Sequence, residues 1–289
     1  MTSLKQASAG WAGWAGCAVW AAWPAVLLLL LCGCAALLPA PGPEGRSAVA
    51  VLEIAGEPFE ALWQLPAPAL GEPAAVLLLQ HGYARRCSHL QTTARQIMAQ
   101  GLVVLCINAS MAGGNAPLAD ALAAVLAGGL TLPDGRPLPA RLVVGGHSAG
   151  AAFAARVGAR FAALAPQRLA GALLLDPVAV RGFGADLQAI SAGGQRPVLA
   201  IASDAGPCNA QRSADAALLA LGGFVGVALQ PGASHMDAEG DDGEGLAQTL
   251  CGRPLPASVA RLRALAAAWA AELARGVAPT VPQDLQAIR

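Results

Sequence analysis

Charge is scarce in this sequence. Only 12% of the 289 residues are Asp, Glu, Lys or Arg, and the 18 basic and 18 acidic residues cancel. No cluster of Lys and Arg occurs, so the positive surface that neutralises a phosphate backbone is missing and a nucleic-acid partner is excluded. The shortage of charge does not imply disorder. A chain stays unfolded when it cannot bury enough apolar surface to offset its conformational entropy, and 55% of this one is hydrophobic. That content suffices for one large core and falls short of two comfortable ones. Zinc-ligand spacings and nucleotide-binding glycine loops are also absent. Histidine occurs only four times, which makes the search for a catalytic base short.

What the chain has in excess is aliphatic sequence near its start. Trp11 to Leu38 carries no charge, and Val26 to Leu31 is an unbroken aliphatic run ending in Leu31-Cys32-Gly33-Cys34. Residues 1–33 read as a secretory leader. The last four residues resemble a bacterial lipobox, in which Cys34 would be lipidated and become the new N-terminus, although Cys32 is an unusual occupant of its position. Ordinary cleavage and an uncleaved anchor stay open as alternatives, because the stretch is long enough to span a bilayer. All three place the remainder outside the cytoplasm, and contact with the membrane runs through the leader or the lipid.

Residues 34–46, rich in Pro and Gly, read as a tether, 47–275 as the folded domain and 276–289 as a flexible tail. Four cysteines lie beyond the leader, namely Cys87, Cys106, Cys208 and Cys251. An oxidising compartment permits pairing. Cys208 and Cys251 flank the segments carrying Asp204 and His235 and are expected to form a disulfide. Cys106, inside an apolar run, reads as a buried thiol.

Within the domain, apolar runs of strand length alternate with Ala-rich stretches of helical length. Val49 to Ile54 and Phe59 to Leu65 form an opening antiparallel pair. Ala74 to Gln80, Leu102 to Asn108, Leu142 to Gly146, Ala172 to Leu175, Val198 to Ala202 and Gly223 to Leu229 read as strands buried on both faces. His89 to Gln100, Pro117 to Leu126, Ala149 to Leu164, Ser213 to Leu221 and Ser258 to Ala274 are the helices. Such alternation predicts an α/β fold, a mostly parallel sheet of about eight strands covered on both faces, with its chemistry at the carboxyl ends of the strands.

One of those ends carries Gly146-His147-Ser148-Ala149-Gly150. This G-x-S-x-G sits where a buried strand gives way to an Ala-rich helix, the placement in which a sharp turn lifts a nucleophilic serine above the sheet. A serine that merely caps the helix would look the same locally. Ser148 needs a base. His147 should point away from the site, His81 lies in a tight turn and His89 begins a helix, which leaves His235 in Gly232-Ala233-Ser234-His235. The acid is contested between Asp176, in Leu175-Asp176-Pro177-Val178, and Asp204, at the end of the next strand. For the oxyanion, the N–H of Ala149 follows the nucleophile directly, and the turn Gly82-Tyr83-Ala84-Arg85 can aim the N–H of Tyr83 into the site.

Chain order, elbow, His-Gly loop and late histidine resemble the α/β-hydrolase fold. Gly82-Tyr83-Ala84-Arg85, Gly101-Leu102-Val103-Val104, the elbow and Gly232-Ala233-Ser234-His235 are similar to bacterial cutinases and polyester hydrolases of the dienelactone-hydrolase-like group. The resemblance implies Ser148 as nucleophile, His235 as base, and Tyr83 and Ala149 as oxyanion donors. Leu175-Asp176-Pro177-Val178, with His235-Met236-Asp237 and Asp241-Asp242, resembles chlorophyllases, and there the acid would be Asp176. Polyester hydrolases place it near Asp204, but Ser203-Asp204-Ala205-Gly206 departs from their pattern, so Asp176 is preferred.

Ser148 at the elbow excludes both the thiol mechanism of true dienelactone hydrolases and the Asp-nucleophile chemistry of dehalogenases. The acidic run from Asp237 to Glu244 lacks the Gly of a calcium loop, has Gln248 where a Glu would close it, and reads as solvated. The short segment between Leu175 and Val198 leaves no room for a large cap domain, which suits bulky or polymeric esters. The expectation is an exported, monomeric serine hydrolase of carboxylic esters that needs no cofactor or metal. A chlorophyllase-like esterase, an acyltransferase and a catalytically silent envelope lipoprotein remain as alternatives.

Overall fold

A computed structural model describes residues 45–288. The expected leader at 1–33, the expected lipidation site at Cys34 and nearly all of the expected 34–46 tether lie outside the described residues. The chain opens with the hairpin β1 (Arg46–Ile54) and β2 (Glu57–Leu65), paired antiparallel. Ala55 and Gly56 join them with φ of 53° and 82°, the left-handed pair whose twist matches a tight hairpin. Then follow β3 (Val76–Gln80), β4 (Val103–Ile107), β5 (Leu142–His147), β6 (Leu169–Leu175), β7 (Val198–Ala202), β8 (Phe224–Ala228) and β9 (Gln286–Ala287). They form one nine-stranded sheet in the order β1-β2-β4-β3-β5-β6-β7-β8-β9. From β4 to β8 all neighbours are parallel, and antiparallel pairs close both edges.

The continuous apolar runs are explained by coverage of both faces. Leu78 and Val144 pack on one side with helices α2 (Ala116–Gly128), α3 (Ala149–Leu164) and α4 (Phe183–Ser191). Leu77, Leu79 and Val143 point the opposite way, toward α1 (Gln91–Met98) and α7 (Pro256–Arg275). Period-two alternation thus feeds two separate cores. Two shorter helices, α5 (Asp215–Leu219) and α6 (Gly245–Cys251), sit in the later connections. Between β6 and β7 the chain inserts only α4, so no large cap is present. No helix among the described residues is long and apolar enough to cross a membrane.

Two expectations need correction. Residues 276–288 are not a loose tail: Trp269 Nε1 donates to the Thr280 carbonyl at 2.9 Å, Ile288 is buried, and β9 extends the sheet beside β8. Cys106 is not a free thiol. It is bonded to Cys87, with Cα atoms 5.7 Å apart, because the turn after β3 brings Cys87 against the end of β4. The expected Cys208–Cys251 disulfide is present, with Cα atoms 5.4 Å apart.

The sheet order reverses between β3 and β5, since the chain leaves β3 for β4 on one side and returns to β5 on the other. In open α/β sheets the connecting loops diverge at such a reversal, beyond the carboxyl ends of the strands. The turn after β3 carries Gly82 and Tyr83, and the turn after β5 carries Ser148.

Candidate active site

Ser148 joins β5 to α3 at φ 58° and ψ −127°, a conformation that is strained for any residue with a Cβ. Backbone bonds on both sides hold it: its N–H donates to the Leu175 carbonyl at 3.1 Å, and its own carbonyl accepts from Ala151 and Val178 at 3.1 and 3.2 Å. The flanking glycines are required by close approach. A Cβ on Gly150 would lie 2.2 Å from the His81 carbonyl oxygen, and one on Gly146 would lie 2.4 Å from the Gly150 oxygen. The Ser148 side chain makes no capping bond to the helix it precedes, so its hydroxyl is not spent on the role a helix-capping serine would have. The first N–H groups of α3, Ala149 foremost, have no intrahelical acceptor and form the positive end of its dipole.

His235 stands on a short turn, His235–Ala238, that Ser234 and Asp237 cap reciprocally. Its Nδ1 meets Asp176 Oδ2 at 2.6 Å, and both side chains are buried. Asp176 ends β6 at φ 43° and is surrounded by donors. Oδ1 accepts the Ser203 N–H at 3.0 Å, Oδ2 accepts the Ser203 hydroxyl at 2.6 Å, and Asn209 Nδ2 lies 3.2 to 3.3 Å from both oxygens. Asn209 Oδ1 is occupied by the Gly206 and Arg212 N–H groups, which orients its amide toward the acid. Burial alone would push the Asp176 carboxyl up; the bonds from His235 and Ser203 outweigh it and hold the group below the usual range. Asp204, the other candidate acid, is exposed and makes no hydrogen bond to His235. Its carboxylate accepts the Gly232 N–H at 2.7 Å, pinning the loop that leads to the histidine.

His147 does not turn away from this group, as the elbow alone suggests. Its Nε2 lies 2.9 Å from the His235 carbonyl oxygen, and the two rings lie 4.5 Å apart, centroid to centroid, tilted by 39°. Burial and the neighbouring His235 push its pKa down to about 3. Behind it Arg85 forms a two-pronged ion pair with the buried Glu239, the Nε bonds measuring 2.8 and 3.1 Å. This pair ties the turn carrying Tyr83 to the loop carrying His235. The acidic run is therefore only partly the solvated loop its composition suggests: Asp241 and Glu244 are exposed, whereas Asp237 and Glu239 are buried. Asp237 accepts the Ser234 and Leu255 N–H groups, Asp242 accepts the Thr92 N–H and hydroxyl, and Asp241 pairs with Arg263.

The Tyr83 turn lies against Ser148: a Cβ on Gly82 would sit 3.0 Å from Ser148 Cβ. The Tyr83 ring, at 65% exposure, stands open to solvent beside a groove lined by Ala84, Arg86, Asn108 and Ser110. Ser203, Asn209, Arg85 and Glu239 take no role from the sequence, and His147 is considered there as the base and set aside. Only His147 carried a local signal, its place within the elbow motif.

No known sequence-family description matches the chain, and no curated protein matches it by sequence. Solved structures match by shape. A dienelactone hydrolase from Anabaena variabilis aligns with a TM-score of 0.56 at 16% identity, over 78% of this chain and 96% of its own. The esterase domain of a Rhodothermus marinus protein aligns with a TM-score of 0.55 at 17% identity, over 78% of this chain and 99% of its own. An esterase from Pyrobaculum calidifontis gives a TM-score of 0.54 at 16% identity, over 79% and 85%. With the parallel sheet, the reversed strand order and the strained serine turn already described, the chain has the α/β-hydrolase fold.

Proposed function

We propose that the protein is an exported serine hydrolase of carboxylic esters, with Ser148, His235 and Asp176 as its triad. The observation that carries this reading is the buried 2.6 Å bond between His235 Nδ1 and Asp176, with His235 in contact with His147, the residue directly before a strained serine whose side chain caps no helix. The bond to Asp176 occupies Nδ1 and leaves Nε2 for proton exchange; transfer between Ser148 Oγ and that nitrogen is the step the proposal adds.

Ser148 Oγ attacks the ester carbonyl while Nε2 takes its proton, and Asp176 stabilises the imidazolium that forms. The N–H groups of Ala149 and Tyr83 receive the oxyanion. Collapse expels the alcohol, which takes the proton from Nε2 and leaves an acyl group on Ser148. Water, deprotonated by the same nitrogen, then releases the acid. No cofactor enters this sequence. A site without a large cap favours bulky or polymeric esters, as in cutinases and polyester hydrolases, and two disulfides support an oxidising compartment. The Asp176 pairing also supports a second reading, a chlorophyllase-like esterase, because that family carries its acid in the Asp-Pro-Val segment.

The test is a panel of nitrophenyl esters of increasing acyl length, assayed beside a polyester film and a chlorophyll ester, on the protein and on its Ser148→Ala and His235→Ala variants. Each variant is expected to lose at least about a thousandfold in kcat. Retained activity in either overturns the triad, and product analysis with added alcohol separates hydrolysis from acyl transfer. Failure of the protein to react with a fluorophosphonate would favour a silent lipoprotein. Anchoring through Cys34 predicts that Cys34→Ser accumulates as a precursor without labelled fatty acid.

A further inference from the structure

Building on the ester-hydrolase reading, we propose that His147, the residue before the nucleophile, is a positioning residue for the base. It holds the His235 imidazole against Asp176 through its Nε2–H bond to the His235 carbonyl and through the ring packed alongside.

The chemistry of the contact defines the state of His147. A carbonyl oxygen only accepts, so Nε2 carries the proton of the 2.9 Å bond. Nδ1 is buried without a hydrogen-bond partner and is therefore the bare nitrogen of a neutral ring. The nearest carboxylate oxygen, Glu239 Oε1 at 3.8 Å, does not recruit a proton to it because Arg85 already neutralises that carboxylate. The groups facing His147 are thus His235 and Asp176 on one side and the Arg85–Glu239 pair on the other. A neutral ring suits the place, since His235 becomes an imidazolium during turnover and a second cation beside it would oppose that charge.

The bond also has a mechanical role. His235 is held at its side chain by Asp176 and at its backbone carbonyl by His147, so the backbone that carries the ring is fixed, and the His147 ring packed 4.5 Å away opposes the rotation that would swing Nδ1 off the acid. His147 itself is the last residue of β5 and follows the same strand end that presents Ser148. Nucleophile and base are therefore referenced to one rigid element rather than to two independent loops.

The experiment compares His147→Gln, which keeps a donor near the Nε2 position, with His147→Phe, which keeps a flat ring and removes the donor. It reads kcat and KM on a soluble nitrophenyl ester, the rate of fluorophosphonate labelling, and the downfield proton NMR signal of the His235–Asp176 bond. His147→Phe should lose about ten- to a hundredfold in kcat and labelling rate with KM within about threefold, and its downfield signal should broaden or vanish. His147→Gln should recover kcat to within a few-fold of the parent, together with the signal. His147→Leu, smaller than Phe, provides the same donor deletion if the larger ring prevents folding. Parental kcat and signal in the donor-deleted variant overturn the proposal, as does equal loss in Gln and Phe with the signal intact. Ser148→Ala assayed in parallel keeps the two readings apart: activity there sinks the triad, whereas its inactivity beside a fully active His147→Phe sinks only the role of His147.

Discussion

Ser203 and His235 donate to the same oxygen, Oδ2 of Asp176, each at 2.6 Å. The hydroxyl helps hold the carboxylate in the ionised form and the orientation that the histidine needs. Ser203→Ala removes one charge-assisted bond and leaves the acid to Asn209 and the Ser203 backbone. A fall of about tenfold in kcat is expected, corresponding to the lower end of what such a bond contributes, with KM little changed. Steady-state kinetics on a soluble ester measures both.

Asp176 and Asp204 give opposite expectations. In the proposed triad, Asp176→Asn takes away the charge that stabilises the imidazolium and favours the wrong tautomer of His235, so kcat should drop by about four orders of magnitude. Asp204→Asn keeps an oxygen able to accept the Gly232 N–H and should remain within about threefold of the parent. If activity survived the first substitution and collapsed with the second, the acid would belong at the end of β7.

The parts of this site that could be read from the sequence are those with local chemistry. Leu142 to Gly146 followed by an alanine run announces a buried strand and a closely packed helix, and α3 begins and ends where the pattern places it. His235 emerges because only four histidines exist. Other parts depend on contacts between distant segments. Asn209 reaches Asp176 across 33 positions and Arg85 reaches Glu239 across 154, so neither pairing leaves a local signature. The run from Asp237 to Glu244 looks solvated for the same reason, its partners arriving from α1, α7 and the turn after β3. Helix α6 buries none of its residues: Leu246 and Leu250, one turn apart, are exposed, and the helix ends at the disulfide of Cys251, so its apolar pair does not mark a core-facing element. Strand β9 is two residues long and exists only as a partner of β8.

Acid should destabilise the protein through His147. Its folded pKa is lowered to about 3 from 6.5, so between those values the unfolded chain holds a proton that the folded chain excludes. Unfolding then takes up a proton, and stability falls as pH drops through the window, by about 1.4 kcal/mol per unit at most. His81, also lowered by burial, adds in the same direction. Asp176 acts lower: its depressed carboxyl supplies stability above its ordinary value near 3.8 that is lost as pH falls through the folded value. Urea unfolding of His147→Gln should show a shallower decline between about pH 6 and pH 4.5 than the parent, and identical slopes would refute this origin.

Both disulfides brace loops of the site. Cys87 follows the Tyr83 turn, while Cys208 precedes Asn209 and ties it to the end of α6. With 19 residues separating one pair and 43 the other, chain-entropy reasoning assigns about 3 and about 4 kcal/mol to them. Replacing each pair by serine should lower the unfolding free energy in that order, and removal of Cys208–Cys251 should also reduce kcat because Asn209 loses its tether. Equal stability in the reduced and oxidised protein would contradict the assignment.

The short strand β9 has a bearing on how molecules of this protein meet one another. β8 would otherwise present an unpaired row of amide and carbonyl groups, a template on which a neighbouring chain can add a strand. Ala287 and Gln286 cover its carboxyl half opposite Val227 and Ala228, and Ile288 extends the cover by donating its N–H to the Gly226 carbonyl at 3.0 Å. Any shortened form that stops after α7 therefore carries an open sheet margin along the carboxyl half of β8, and its colloidal behaviour at high concentration reflects that margin rather than the chemistry of the site.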